Sequence, residues 1–401
     1  MIARHIIFFV ALITLPYLWV DYRYLLPRKK LAIWKRLLWW IPCIVMLIAT
    51  VLYAKSHDFI PSTMFWTELY LALMALFVYP VALFSICSVI GWLCRHCRQQ
   101  SFFADMIGII LGICSMLIYC YGSTVGFNQV KVKHLELSFA DLPESFDGCR
   151  IIHLSDLHVG TYAGWRRPVL QAIVDSVCEQ QPDYVFFTGD LQNTRPEEVK
   201  HVADLLSKLP HVYSVLGNHD HGEYMRGSAR EKRSLEEEMI RIQETLGWTL
   251  LVNETCSLPP RPSTTNPHPP IPNSRPATLY VTGTDNDGEP PFPSLARYDT
   301  QQNKGDSIFT IMLQHDPSAW HRHILPKTTA QLTLSGHTHG GQMKIGTLRP
   351  TRLRYAEDVG LYRDGERYLH VSSGAGALVP FRLGIPNEII VITLRRKGIK
   401  E

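Results

Sequence analysis

Four long apolar runs open this chain and limit what its first third can become. They cover about 6–20, 37–54, 64–93 and 106–121. A helix crosses a bilayer with about 20 apolar residues, in a range of roughly 17–25. The first and last runs are therefore slightly short, and the third is long. Pro80 sits inside the third run and predicts a kink or tilt there. Trp39, Trp40, Trp66 and Trp92 stand near span ends, where interfacial aromatics belong. The first run lacks the small-residue cleavage site of a signal peptide and reads as a retained helix. Residues 1–121 are thus expected to form a membrane region of about four helices. A connector and first strand follow over 122–146, and a soluble α/β domain over 147–401.

Orientation follows from the short loops. Arg23, Arg28, Lys29, Lys30, Lys35 and Arg36 lie between the first two runs, and Arg95 and Arg98 between the last two. Arg4 precedes the first run and Lys55 follows the second. The excess of positive charge on cytoplasmic loops then puts both termini, and the soluble domain, outside the cytoplasm. The net charge of +4 says little about partners. With no long basic tract and no zinc-knuckle spacing, nucleic-acid binding is not expected. Six of the nine cysteines (Cys43, Cys87, Cys94, Cys97, Cys114 and Cys120) lie in or beside the membrane part. Cys94 and Cys97 have redox or metal spacing without a second pair, and read as a thiol pair of no special role. Cys149, Cys178 and Cys256 make no disulfide framework.

Past the membrane part a regular order appears. "VKVKHLELSF" reads as a strand, then "CRIIHLSD" as a buried one, followed by a helical pattern from Pro168 to Glu179. "DYVFFTGD" precedes a helix expected over 196–209, with Pro196 at a favourable first position. "HVYSVLGNHD" precedes a charged helix over about 231–245. Such alternation implies a mainly parallel sheet. The stretch 257–276, rich in Pro, Ser, Thr and Asn, reads as a solvated surface loop. Beyond it "ATLYVTGTD", "SIFTIMLQHD", "AQLTLSGHTH", "RYLHVSSG" and "NEIIVITLR" read as strands. Two packed sheets with outer helices accommodate that number.

Metal-type residues recur at the carboxyl ends of these strands. Asp156 and His158 follow the first of the buried set, Asp190 the second, and Asn218, His219 and Asp220 the third. His315 ends a later strand, and His337 and His339 end another, in "LSGHTHGGQ". Open α/β sheets bind ligands at these ends. Carboxylates and imidazoles are ligands for borderline divalent metals. Each piece alone is an ordinary turn or cap. Five in order are not, because packing needs none of them and burying them without metal is costly.

The ordered set D-x-H, G-D, G-N-H-[DE], a single His, then G-H-x-H resembles that of the calcineurin-like metallophosphoesterases. Every element is present from Asp156 to His339. The resemblance spans about 147–394 and none of the membrane part. It is nearest to a membrane-tethered bacterial branch carrying "SGHTHGGQ" and a segment like "GLYRDGERYLHVSSGAGALVPFRLGIPNEI". The resemblance implies a four-layer α/β/β/α sandwich behind the membrane helices. It also implies two divalent ions, manganese, iron or zinc. Asp156, His158 and His339 would hold the first ion, with Asp190 bridging to the second. Asn218, His315 and His337 would complete the second site. His219 would protonate or stabilise the leaving oxygen, with Asp220 orienting it. The reaction implied is hydrolysis of phosphodiester, phosphomonoester or pyrophosphate bonds by a hydroxide shared between the metals.

Further residues carry weaker readings. His153 is expected either to support the site or to be structural, and His221 to be solvent-exposed. Asp285 and Asp287 in "GTDNDGE" could orient a ligand, and read in the first place as turn formers. Arg382 could reach a substrate phosphate or close the carboxyl-terminal loop.

Together these readings imply an enzyme of the bacterial inner or cytoplasmic membrane, acting outside the cytoplasm on a phosphoester of membrane or envelope, with the lipid bilayer as partner. The alternative enzyme is a lipid-linked nucleotide pyrophosphatase of the UDP-diacylglucosamine type, which would need a cytoplasmic site. A non-catalytic membrane scaffold on the same fold is a further alternative, though such scaffolds usually carry damaged ligand sets. A transporter is poorly supported, since the runs as read carry almost no charge apart from Glu68.

Overall fold

The computed structural model describes residues 5–28, 32–55, 64–94, 98–222, 224–225, 227–259, 278–290, 292, 294–299 and 308–397. Arg4, Lys29, Lys30, Arg95, Cys97 and nearly all of the Pro-rich loop lie outside the described residues. The chain divides into two compact units, Met1–Val125 and Gly126–Glu401.

In the first unit four helices among the described residues are long and apolar enough to cross a membrane. They are Ile6–Leu25, Ile33–Lys55, Met64–Leu93 and Phe102–Gly126, of 20, 23, 30 and 25 residues. The first and last outrun their apolar stretches because each ends in a wide π-type turn, Asp21–Leu25 and Gly122–Gly126. The third also contains such a turn, Met74–Val78, directly ahead of Pro80. A residue lacking an N–H is accommodated where the ladder is already irregular. Ile13, Tyr17, Cys43, Met46, Tyr70, Met74 and Val78 form the unit's core. The lengthened helices bring in charge that the shorter runs excluded. Asp21 is paired by Arg36, whose Nε donates to Oδ1 at 2.6 Å, and Asp105 accepts from the Tyr24 hydroxyl at 2.6 Å.

The second unit is built on two six-stranded sheets. Its strands are β1 (Val130–Phe139), β2 (Arg150–Leu154), β3 (Tyr184–Phe187), β4 (Val212–Ser214), β5 (Thr249–Leu250) and β6 (Glu254–Leu258). They continue as β7 (Leu279–Gly283), β8 (Phe309–Leu313), β9 (Leu332–Ser335), β10 (Gly360–Asp364), β11 (Arg367–Val371) and β12 (Asn387–Arg396). One sheet runs β1-β12-β2-β3-β4-β5 and the other β10-β11-β9-β8-β7-β6. Strands β2 to β5 are mutually parallel, as are β7, β8, β9 and β11. β12 runs antiparallel to β2, and β6 and β10 are antiparallel edges.

Strand alternation fixes the layers. Ile151, Phe186, Ile311, Leu313, Leu332, Leu334 and Ile392 point into the space between the sheets. There Phe139 meets Phe309 and Tyr368 edge to face, with centroids 4.9 and 5.4 Å apart. Each such aromatic pair adds about 0.5–1.5 kcal/mol beyond area burial. The opposite face of the first sheet, with Ile152, Leu154, Val185 and Phe187, is covered by Leu170, Ile173, Val174 and Val177 of helix Arg167–Glu179 and by Met239 of helix Ala229–Thr245. The second sheet is covered by Trp320 and Ile324. The unit is therefore a four-layer α/β/β/α sandwich.

Four elements differ from the sequence reading. The helix expected over 196–209 is two short pieces, Glu197–Lys200 and Ala203–Leu206, because the backbone breaks at Val202 (φ −126°). β6 occupies the start of what reads as loop, and β10 pairs with β11 through the Gly365–Glu366 turn. The short β5 adds an edge beyond β4.

Candidate metal centre

Parallel strands end on one side, so the loops leaving β2, β3, β4, β8 and β9 converge there. They bring Asp156 and His158, Asp190, Asn218, His315, and His337 and His339 together from both sheets. Three groups of side chains stand close enough to hold a metal ion: Asp156–His158–His339, His158–Asp190–His219 and Asp190–His315–His337. Asp190 and His158 each belong to two of them.

The contacts within the groups are those of donors converging on ions. His158 Nε2 is 3.2 Å from His339 Nε2, which is 3.4 Å from Asp156 Oδ1. Asp190 Oδ2 lies 3.6 Å from His158 Nε2 and 3.2 Å from His315 Nε2. Asn218 Oδ1 lies 2.7 Å from His337 Nδ1 and 3.1 Å from His315 Nε2. Donors bound to one ion at about 2.0–2.2 Å stand roughly 3–3.5 Å apart. The residues present fit divalent metal, and calcineurin-like phosphoesterases use such ions.

The backbone is bent to make this possible. Asp156, His158, Asp190, His337 and His339 all have positive φ, from 47° to 71°. They account for five of the nine such non-glycine residues described. Left-handed backbone is uncommon for side-chain-bearing residues and gathers at functional sites. Close approach is helped by two glycines. A Cβ on Gly217 would lie 2.2 Å from Asp190 Oδ1, and one on Gly336 2.2 Å from Asp156 Oδ2. In "LSGHTHGGQ", the amide of His337 donates to Asp156 at 3.1 Å, tying the loop after β9 to the loop after β2.

Burial sets the protonation states. It pushes His158 down to about 3 and His337 to about 4, leaving neutral imidazoles with free lone pairs. Burial, opposed by His315 and assisted by Asp190, carries Asp156 up to about 7. Burial alone would raise Asp190 and lower His315. Their mutual attraction wins in both, holding Asp190 well below the usual carboxylate range and His315 up to about 10.

Supporting contacts fix the rings. His315 Nδ1 donates to the Thr188 carbonyl at 2.7 Å, which turns Nε2 to the centre. His337 Nε2 meets the Tyr355 hydroxyl at 3.0 Å and lies 3.5 Å from Asp316 Oδ2. Asn218 Nδ2 donates to the Tyr224 hydroxyl at 2.7 Å, and the Tyr224 ring stacks on His219 at 4.1 Å. Phe292 lies edge-on to His337 at 4.6 Å. Tyr224, Tyr355, Asp316 and Phe292 went unread in the sequence. Only Asp316, beside His315, had a local signal.

Several expectations are corrected. His219 is oriented not by Asp220 but by the Asn193 carbonyl, 2.6 Å from Nδ1. The Asp220 carboxylate instead accepts from the amides of Asp190, Leu191 and Gly217 at 2.9–3.0 Å, locking the Asp190 loop onto the "GNHD" loop. His221 is buried, not exposed. It lies 2.8 Å from Asp285 and 3.3 Å from Glu236. Asp285 is thus an ion-pair partner, and Asp287 accepts from the Ser294 and Tyr298 hydroxyls. Arg382 is fully buried and donates to the carbonyls of Ser373, Gly374 and Gly376, so it closes the carboxyl-terminal loop. His153 takes the structural one of its two readings and bridges the sheets, with Nε2 3.0 Å from Thr188 Oγ1 and Nδ1 2.9 Å from His370.

Comparison with known proteins agrees with this geometry. Residues 149–341 match the sequence profile of the calcineurin-like phosphoesterase family. The chain is 30% identical over 296 residues to the uncharacterised metallophosphoesterase YkuE of Bacillus subtilis, covering 69% of this chain and 90% of that one. It is 28% identical over 294 residues to a transmembrane protein with a metallophosphoesterase domain from Danio rerio, covering 71% of this chain and 62% of that one. The phosphodiesterase YaeI of Escherichia coli is 26% identical over 276 residues, covering 66% of this chain and 87% of that one.

Proposed function

The chain belongs to the calcineurin-like phosphoesterases, and from that membership we propose a membrane-anchored, two-metal phosphoester hydrolase acting on an ester of the membrane or envelope. The observation that carries the two-metal reading is the place of Asp190, whose carboxylate lies against both the His158 side and the His315 side of the centre. Asp156, His158 and His339 would hold one ion, Asn218, His315 and His337 the other, with Asp190 between them. Two divalent ions held there would supply a nucleophile at neutral pH and offset charge on the phosphoryl oxygens. The donor set of carboxylate, imidazole and amide suits manganese, iron or zinc.

The protein's own groups do the rest. His219, with Nδ1 committed to the Asn193 carbonyl, keeps Nε2 for the substrate. Burial lowers its pKa, and an anionic phosphate alongside works in the opposite direction. A proton so recruited at Nε2 is delivered to the leaving oxygen. Asp220 acts on backbone, keeping Asp190 and Asn218 in register across two loops. The name of the relative YaeI supports a phosphodiester among the substrates.

Arg23, Arg28, Lys35 and Arg36, at the facing ends of the first two helices and in the turn between them, against Lys55 at the far end of the second, support an extracytoplasmic catalytic unit in a bacterial inner or cytoplasmic membrane. One experiment tests activity and side together. Bis-p-nitrophenyl phosphate, a charged ester that does not cross membranes, is given to manganese-loaded intact spheroplasts and to inverted vesicles. Turnover by spheroplasts is expected, lowered about 100-fold in His219→Ala with metal content unchanged. Turnover confined to inverted vesicles would reverse the orientation. Wild-type rates from His219→Ala would remove its assigned role.

A further inference from the structure

Large apolar side chains that stay exposed are few in the second unit, and they are unevenly placed. Among its described residues Trp165, Leu295, Ile345, Leu348, Leu353 and Leu361 are the large apolar groups more than a third exposed. Three of these six fall within nine residues, and Leu353 at 95%, Leu348 at 75% and Ile345 at 60% are nearly bare. Around them stand Lys344, Arg352 and Arg354, while Arg349 is turned inward onto the buried Asp358, whose carboxylate also lies 3.8 Å from Arg352. An apolar cluster rimmed by one sign of charge marks an interaction surface.

The cluster is presented rigidly. Ile345 and Leu348 exchange backbone hydrogen bonds of 3.1 and 3.0 Å across a two-residue turn, which makes them the sides of a tight tip. The Lys344 amide donates to the Leu383 carbonyl at 2.7 Å. Arg349 is locked onto the buried Asp358 by two hydrogen bonds of 2.6 and 2.8 Å, and Thr351 adds a third at 3.0 Å. The far end of the segment reaches the metal centre. The Arg354 guanidinium lies 5.4 Å from the ring centres of both Phe292 and Tyr355, and these two rings contact His337.

We propose that segment 344–354 is an interfacial docking element that seats Ile345, Leu348 and Leu353 in the surface of an anionic bilayer and presents lipid-borne phosphoesters to the metal centre. Two further observations favour a membrane as the occupant. The chain joins this unit to four helices able to cross a membrane, with only residues 127–129 between the last of them and β1. The cationic rim complements anionic headgroups, whereas a second copy of the same segment would bring like charges together. Apolar side chains entering the headgroup boundary with basic residues beside them are the chemistry of peripheral membrane attachment. The lipid-borne substrate class rests on the phosphoesterase reading; the docking does not.

Hydrogen–deuterium exchange on the full chain tests this. The chain is compared in lipid-free amphipol, in phosphatidylcholine nanodiscs and in nanodiscs of phosphatidylethanolamine with phosphatidylglycerol. Amides of 345–354 are expected to exchange about tenfold more slowly in the anionic discs than in amphipol, with phosphatidylcholine between. The variant Ile345→Ser/Leu348→Ser/Leu353→Ser should lose that protection while hydrolysing soluble bis-p-nitrophenyl phosphate like wild type. Equal exchange in amphipol and anionic discs would overturn the proposal. So would protection that appears only in discs holding two copies, since a second chain would then be the occupant. Protection without turnover of any ester would sink the phosphoesterase reading and leave the docking intact; turnover without protection would do the reverse.

Discussion

Five of the seven residues assigned to the metals hold left-handed backbone, a conformation that only tight surroundings maintain. Their identities were legible because each follows an apolar strand directly, where packing offers no use for a carboxylate or imidazole. Their neighbours were not legible. Tyr224, Tyr355 and Phe292 reach the centre from loops that carry no periodicity, and their role exists only through contact. His221 shows the same limit in reverse. Its partners Asp285 and Glu236 are far along the chain, so a residue that reads as solvated is buried between two acids. Burial opposes its charge, but the two carboxylates carry it up to about 10, above its value of about 6.5 unfolded. The stability it contributes is therefore fully present below about pH 6.5 and is lost as pH rises through about 10. Thermal melting of the detergent-solubilised chain should show the melting temperature falling across that window. His221→Gln should flatten the slope and cost about 3 kcal/mol at the acid end. An unchanged slope in that variant would mean the pair is not charged.

At the scale of elements, the strands that bury both faces were read correctly, since runs such as "DYVFF" and "IFTIML" have no competing explanation. The edge strands were not. β5 has two residues, β6 begins in a polar stretch, and β10 is mostly exposed, so none carries the apolar signal of a core strand. The break at Val202 is a tertiary effect too. Val199, Leu205 and Leu206 all bury against the first sheet, and the turn between the short helices lets both pieces do so. Loops after the strands are set by close approach more than by propensity. In the turn after β9, an added Cβ on Gly336 would lie 2.0 Å from Ser155 Oγ and 2.2 Å from Asp156 Oδ2. Gly336→Ala is expected to displace Asp156 and cut kcat about 100-fold, with overpacking against Ser155 costing about 1–3 kcal/mol of stability. Wild-type kcat in this variant would show that the two loops can separate without harm.

For the whole molecule, composition separates an apolar first part from a mixed remainder, and the number of strand-like runs in that remainder is what pointed to two sheets. The helices proved longer than the apolar runs: a wide turn carries the first past its hydrophobic end and brings in Asp21, and the last begins at Phe102, ahead of its apolar run, and so takes in Asp105. What composition could not reveal is the exposed face built by 344–354, which appears only once every other large side chain has been placed. The sheets explain why a site of this kind lies where it does: strand ends from both layers meet along one edge, and each contributes donors to a centre that neither layer could complete alone.

The central claim is that Asp190 joins two metal sites into one catalytic centre. Metal analysis of the purified full chain, paired with turnover on the same sample, tests it most directly. Wild type should carry close to two divalent ions per chain, and Asp190→Asn at most about one, with turnover down about 1,000-fold or more. Full turnover from a chain holding a single ion, or two ions and wild-type turnover retained in Asp190→Asn, would contradict it.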